Sequence, residues 1–292
     1  MQGLPFLLVL LSAVAHGYWN FLFKQAENKD AFLCLSKMLE PLIYLVPFVV
    51  TVNVWGFELS SLWYVVVGML LAVANYMCLS GSYKLLDLTI AYPVSRSSTV
   101  FLPFLAFIFL GEHIDVVGWV SVILVSLGVV VIPLNEFKLP DLSDRTWVSQ
   151  KGMGLGMFFA VLAAFTVALY TLWGKLAIQH MHPFIYMYCY TLAANVYFLP
   201  LLRRLDRSII RREWEMNKWR IIGVSVLNTM SFVLILFALA LGKVTYVGAL
   251  RQSSLVVGVG LGWLVLREVV TVPRIVGVGL VIAGGCLTYL AK

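Results

Sequence analysis

Thr89-Ile90-Ala91-Tyr92-Pro93-Val94-Ser95-Arg96-Ser97-Ser98 runs through an apolar stretch to Leu110-Gly111-Glu112 and on to Gly128, and the chain contains this segment twice. Laid over Thr245–Gly284, it pairs Thr89 with Thr245, Ser97 with Ser253, Ser98 with Ser254, Leu110 with Leu266, Glu112 with Glu268 and Gly128 with Gly284. Shared apolar composition produces matches cheaply. Matched serines, glutamates and glycines are not so cheap. A weaker echo joins Trp19-Asn20-Phe21-Leu22-Phe23-Lys24 to Tyr170-Thr171-Leu172-Trp173-Gly174-Lys175.

The duplication sits in a chain of 292 residues that is 61% hydrophobic and 12% charged, with a mean hydropathy of +0.94. A soluble domain is roughly half apolar and about a quarter charged, and this composition would leave it covered in apolar patches. A helix crossing a bilayer needs about 20 mostly apolar residues. Ten such runs lie near 4–23, 32–54, 62–83, 89–110, 114–134, 153–174, 183–202, 219–241, 245–266 and 271–290. They are too long for strands and lack the alternation of an outer-membrane barrel. The first has a signal-like core, Leu4–Leu11, and a small-residue Ala13-Val14-Ala15, but no Lys or Arg precedes Lys24 and the run continues through Phe23. It reads as a span.

The expected fold is therefore all-α and integral to the membrane, with ten transmembrane helices. Residues 1–134 form one five-helix unit, 135–152 a polar linker and 153–292 the second unit. An odd number of spans per unit forces the second to enter from the opposite side. Inverted repeats of this kind characterise secondary transporters, which alternate access around a site between the repeats.

Ala91-Tyr92-Pro93, Arg96, Leu110-Gly111-Glu112 and a glycine-dotted closing helix resemble the EamA-type transporters of the drug/metabolite transporter superfamily. The second half repeats the pattern as Leu266-Arg267-Glu268, with Arg267 where a glycine is usual. His16-Gly17-Tyr18-Trp19-Asn20 is similar to a His-x-x-Trp-Asn element that opens a subset of that family. The resemblance covers essentially the whole chain. It implies a proton-linked or facilitative carrier of a small metabolite, with helices 1–4 and 6–9 around a cavity and helices 5 and 10 outside. A receptor or scaffold that keeps the fold without transporting is the alternative.

Other chemistries find little purchase. No phosphate loop is present, so ATP is not the energy source within this chain, and no cofactor is expected. Gly258-x-Gly260-x-Gly262 lies inside an apolar run rather than after a strand, which excludes a dinucleotide fingerprint; Gly258 and Gly262, four apart, suggest close helix packing. Cys34, Cys78, Cys189 and Cys286 show neither a CxxC nor a metal-ligand spacing, and no metal is expected. An intramembrane enzyme needs a second acid or histidine clustered with His16, and none is close in sequence.

Polar residues inside spans cost roughly 2.5–3.5 kcal/mol each on insertion scales, so each needs a reason. His16 and Asn20 share a helix face beside Trp19. Lys37 and Glu40, three apart, can pair; His16 and Glu40 are the proton-coupling candidates, since imidazole changes charge near neutrality. Arg96 and Arg251 enter corresponding helices from opposite faces, each beside serines. With Asn75, Asn228 and Gln252, and with Trp19, Tyr92, Trp173 and Tyr246 offering aromatic surface, they outline a net cationic substrate site. Such a site suits carboxylate or phosphate, because guanidinium donates paired hydrogen bonds. Glu112 and Glu268 are expected to serve the N-terminal ends of helices 5 and 10.

Lys and Arg distribute unevenly. Fourteen of the 21 fall in the odd-numbered loops. Arg203–Arg220 supplies half of them, with Leu201, Leu202, Leu205, Ile209 and Ile210 interleaved as in a short interfacial helix facing anionic headgroups. No nucleic-acid partner is expected, and the chain is read as a monomer or homodimer in the plasma membrane (the inner membrane of a bacterium). Positive charge marks the cytoplasmic side, which puts the odd loops inside and both termini outside. A C-terminal reporter active only in the cytoplasm should stay silent; strong activity would contradict this topology.

Overall fold

The computed structural model describes residues 1–86, 88–134 and 150–291, and among them every regular element is helical. In chain order the α-helices are α1 (Leu4–Lys24), α2 (Lys29–Trp55), α3 (Leu62–Leu85), α4 (Leu88–Arg96), α5 (Ser98–Leu110), α6 (Val116–Val131), α7 (Gln150–Ala177), α8 (Pro183–Arg204), α9 (Arg207–Leu241), α10 (Val244–Arg251), α11 (Ser254–Leu264) and α12 (Val272–Leu290), with a short 3-10 turn, Leu59–Ser61, leading into α3. Local chemistry sets several starts. Pro opens α1 and α8, while Asn28 and Asp115 accept from the amides of Ala31 and Gly118 to cap α2 and α6. The linker expected at 135–152 lies largely outside the described residues.

Among the described residues, eight helices are long and apolar enough to cross a membrane; the expected fourth and fifth spans are shorter apolar helices, Val94–Leu110 and Val116–Val131. Their outward faces are apolar. Leu42, Val46 and Val50 make an exposed stripe along α2, as do Phe104 and Ile108 on α5. In water such stripes would aggregate; in a bilayer they are the solvent-facing surface.

Helix pairing repeats the sequence symmetry. α1 packs on α9 as α7 packs on α3, α2 meets α9 as α8 meets α3, and α1 meets α10 and α11 as α7 meets α4 and α5. α2–α8 and α6–α12 are each paired with their own counterpart, as a twofold relation requires. Contacts between helix ends sort onto two faces. At one, the terminal face, the Met1 nitrogen lies 2.8 Å from the Thr288 carbonyl oxygen, and Glu112 reaches Val244. At the other, the distal face, the Asn28 amide donates to Glu213 at 2.7 Å and Arg212 pairs with Glu27 at 2.5 Å.

Four sequence expectations change. The fourth and ninth spans are each broken in the middle. At Ser97 and at Gln252–Ser253 the ladder tightens to three-residue turns: Ser97 N donates to Val94 O at 3.2 Å, and Gln252 N and Ser253 N to Ala249 O and Leu250 O at 3.1 and 3.0 Å. The Ser97 hydroxyl also takes the Val94 carbonyl, at 2.6 Å, competing with the helix as serines do. The serine pairs that revealed the repeat mark these breaks. Secondly, Arg207–Arg220 is not a separate interfacial helix but the start of α9, whose 35 residues extend about 52 Å, well beyond a hydrocarbon core of about 30 Å. Glu213, 1% exposed within it, holds the α2 cap in place and keeps these turns upright. Thirdly, Glu112 caps α10 rather than α6, whose cap is Asp115, and Glu268 pairs with Lys24 and, at 3.7 Å, with Arg274.

The fourth change concerns close packing. A Cβ added at Gly258 would meet nothing within 4 Å, and one at Gly262 would meet the Glu268 carboxylate rather than a neighbouring helix. Close approach occurs instead between α6 and α12. A Cβ at Gly284 would sit 2.8 Å from Ser121 O, and one at Gly128 would sit 2.7 Å from Gly277 O. Ser121 Oγ donates to Gly284 O at 2.7 Å across this seam. Small residues are what hold helices together in lipid, where apolar contact with a neighbour gains little over contact with acyl chains. Arg267, standing where the family pattern has glycine, keeps a left-handed φ of 56°, beside the 64° of its counterpart Gly111; the side chain there costs about 1 kcal/mol.

Gly284→Val should therefore separate α6 from α12 and lower stability by about 1–3 kcal/mol, the usual cost of overpacking. Gly279→Val, with nothing within 4 Å of its Cβ, should be near neutral. Thermal unfolding of the purified variants checks the difference; equal midpoints would contradict the seam.

Candidate functional site

Both helix breaks open onto one cavity between the halves. Its larger lobe, about 300 Å³, is lined by His16, Trp19, Asn20, Asn75, Ser95, Arg96, Ser98, Thr99, Tyr170, Thr171, Arg251, Gln252 and Ser254, among others. A second lobe of about 180 Å³ shares His16, Tyr170, Thr171 and Arg251 and adds Lys37, Glu40, Tyr186, Tyr190, Thr191 and Asn228. The two guanidiniums come from the ends of α4 and α10, half-helices that enter from opposite faces and stop at mid-bundle. α5 and α11 restart beside them, so the amides of two helix N-termini lie next to both arginines.

His16 sits where the lobes meet. Its Nδ1 accepts from Trp19 Nε1 at 3.3 Å, and the rings meet edge-on at 5.0 Å. The Asn20 amide donates to the His16 carbonyl at 2.7 Å, so the i, i+4 pair fixes its own helix face. In the second lobe, Lys37 Nζ contacts Glu40 Oε1 at 2.9 Å and Asn228 Nδ2 donates to the same oxygen at 2.8 Å. Glu40 is 2% exposed. Removing either partner would strand a buried charge. The Asn75 amide is held on α7 by Ala163 O at 2.8 Å and Thr166 Oγ1 at 3.1 Å.

The structure thus brings together His16, Trp19, Asn20, Asn75, Arg96, Arg251 and Gln252 in one lobe and places Asn228 with Glu40 in the other. Two expected residues lie elsewhere. The Trp173 indole donates to Tyr64 O at 2.7 Å and packs on Trp63, tying α7 to α3. Tyr246 is 1% exposed, with its hydroxyl 3.2 Å from Asp115 Oδ1. Indole N–H and phenol O–H need partners when buried, and here backbone and carboxylate supply them. The Tyr92 side chain lies outside the described residues. Sequence reasoning missed Tyr170, Tyr186 and Tyr190. The Tyr186/Tyr190 spacing of four, on one helix face and followed by Thr191, was the available signal.

A polytopic helical bundle with pseudo-twofold pairing, two broken helices and a polar cavity at the breaks has the layout of a membrane transporter. The family comparison agrees: the model of the EamA-like transporter family matches residues 3–134 and again 154–290, so the chain belongs to that family and is a multi-pass membrane transporter of small molecules. Membership sets it among transporters rather than enzymes. A search of curated proteins found no significant match. A solved structure described only as "Crystal structure of protein" superimposes with a TM-score of 0.72 over 99% of this chain and 98% of its own, at 13% identity, a likeness of fold alone.

Proposed function

We propose that the protein is an ATP-independent carrier of a small metabolite bearing a carboxylate or phosphate, amino acids and organic acids ahead of cationic drugs, working by alternating access between its two repeats. One observation carries this reading: Arg96 and Arg251, brought in from opposite faces, line the same cavity at the two helix breaks. Lys37 is balanced by Glu40, so the arginines leave the lining net cationic. Guanidinium gives an anionic group two parallel hydrogen bonds, and the adjoining amides of α5 and α11 add positive potential. Trp19, Tyr170, Tyr186 and Tyr190 flank an uncharged remainder of the substrate. His16 and Glu40 are the groups for a coupled proton. The carrier sits in the plasma membrane with both termini outside, and the arginines from Arg203 to Arg220 meet anionic headgroups on the cytoplasmic side.

Reconstituted in liposomes with a panel of labelled metabolites, the protein should move an anionic solute. Arg96→Gln and Arg251→Gln should each reduce that flux to near background while folded protein remains in the membrane. Transport of lipophilic cations that survives Arg96→Gln would contradict the reading, and binding without flux would favour a receptor.

A further inference from the structure

The twofold relation holds for helix pairing but fails for packing density. The main buried cluster lies almost wholly toward the terminal face, built from Val9, Val65, Leu105, Leu172, Leu239 and Val247 with their neighbours. Toward the distal face the corresponding cluster is small: Phe32, Ile221 and Val224 with partly buried neighbours. The half-helices show the same imbalance. On α5, Leu102, Leu105 and Ala106 are 4%, 7% and 0% exposed, and Leu102 fills against Gly248 of α10. On α11, the counterpart of α5, only Gly262 is buried, and Gly258, the counterpart of Leu102, has open space around it. The structure is sealed toward the terminal face and loose toward the distal one.

Two Lys–Glu sets sit at those faces, related by the repeat: Lys175 with Glu112, and Lys24 with Glu268. Their partners differ. On the sealed face both groups bind the turn between α9 and α10. Lys175 Nζ donates to the Leu239 carbonyl and, at 3.0 Å, to the Gly242 carbonyl, closing the end of α9. Glu112 Oε1 accepts from Val244 N at 2.9 Å, opening α10, and its Oε2 is buried without a partner among the described residues. On the loose face Lys24 and Glu268 bind each other, with side chains 59% and 31% exposed, and Arg274 stands 3.7 Å from the second Glu268 oxygen. An exposed ion pair of this kind adds little stability.

We propose that these four residues are a pair of exchanging gate latches, a reading that rests on the transporter assignment above. When a face is sealed, its Lys and Glu cap the broken helix and the helix before it; when that face opens, they release the turn and pair with each other. Transferred through the repeat, the sealed arrangement predicts the unseen state. Lys24 donates to the carbonyls of Tyr83 and Leu86 at the end of α3, Glu268 accepts from the amide of Leu88 at the start of α4, and Gly258 is enclosed as Leu102 is now. Lys175 and Glu112 pair with each other in that state. Charged groups fit this role because capping a helix end is a charge-assisted hydrogen bond, while the alternative partner keeps each charge satisfied in the open state.

The test needs no substrate, so its outcome is separate from that of the flux assay. In protein with Cys34, Cys78, Cys189 and Cys286 replaced by serine, a single reporter is introduced as Ala106→Cys in the sealed half or Gly258→Cys in the loose half. Labelling by a water-soluble maleimide is then timed in detergent, where both faces are accessible. The parent should label at Gly258→Cys and be protected at Ala106→Cys. Lys175→Met should raise labelling at Ala106→Cys roughly tenfold, the shift expected for losing one charge-assisted cap, and slow it at Gly258→Cys. Lys24→Met should leave both reporters as in the parent or accentuate their difference. The double exchange Lys24→Glu with Glu268→Lys restores an ion pair but cannot cap either helix end with the required polarity. It should therefore remain folded, by a single symmetric gel-filtration peak, and in this background Lys175→Met should no longer slow labelling at Gly258→Cys. Shifts in the same direction for Lys175→Met and Lys24→Met, no shift for Lys175→Met, or an undiminished slowing of Gly258→Cys labelling by Lys175→Met in the double exchange would each overturn the proposal.

Discussion

Hydrocarbon offers no partner to a backbone amide or a guanidinium, so a membrane protein can interrupt a helix at mid-bilayer only where protein or water takes the exposed groups. The architecture follows from that constraint. Two of the spans are broken at Ser97 and at Gln252–Ser253, and both breaks carry an arginine. Neither could face lipid at tolerable cost. Both line the interior cavity instead, and it is there that serine hydroxyls and the two charges find a polar setting. The bundle around it supplies the seam of α6 with α12 and the reciprocal pairings of α1 with α9 and α3 with α7.

The same constraint explains how polar groups outside the cavity are used. Trp173 spends its N–H on Tyr64 O, Asn75 its amide on α7, and Glu213 both oxygens on Asn28 and Asn217. Each ties two helices or a helix and a loop. Groups that line the cavity differ in kind, because His16, Tyr170 and Arg251 sit where both lobes are open to a ligand.

Much of this is legible in the residues. Apolar run length points to a bundle of many spans, and the match of Ser97-Ser98 and Glu112 to Ser253-Ser254 and Glu268 carries the repeat, its inversion following from an odd number of spans per unit. His16, Asn20, Arg96 and Arg251 stand out because polar groups in such runs are expensive. The breaks are hidden, since a serine pair in an apolar run reads equally well as continuous helix. Trp173 and Tyr246 are misplaced by sequence because an aromatic with a polar tip satisfies itself as readily on a backbone carbonyl or a carboxylate as on a substrate. Gly258 and Gly262 have the spacing of a packing motif, but spacing cannot say whether a helix faces that side. The first turns of α9 read as a separate element because charge changes sharply at the membrane surface while backbone geometry does not.

The central claim is that Arg96 and Arg251 form one anion site. Thermal shift of the purified protein against a panel of carboxylates, phosphates and lipophilic cations tests it most directly, because a ligand at about 100 times its Kd adds about 2.7 kcal/mol of stability. One class of anionic metabolite should raise the unfolding temperature of the parent and leave Arg251→Gln unmoved. Stabilisation by lipophilic cations alone, or an equal anion shift in Arg251→Gln, would contradict the claim.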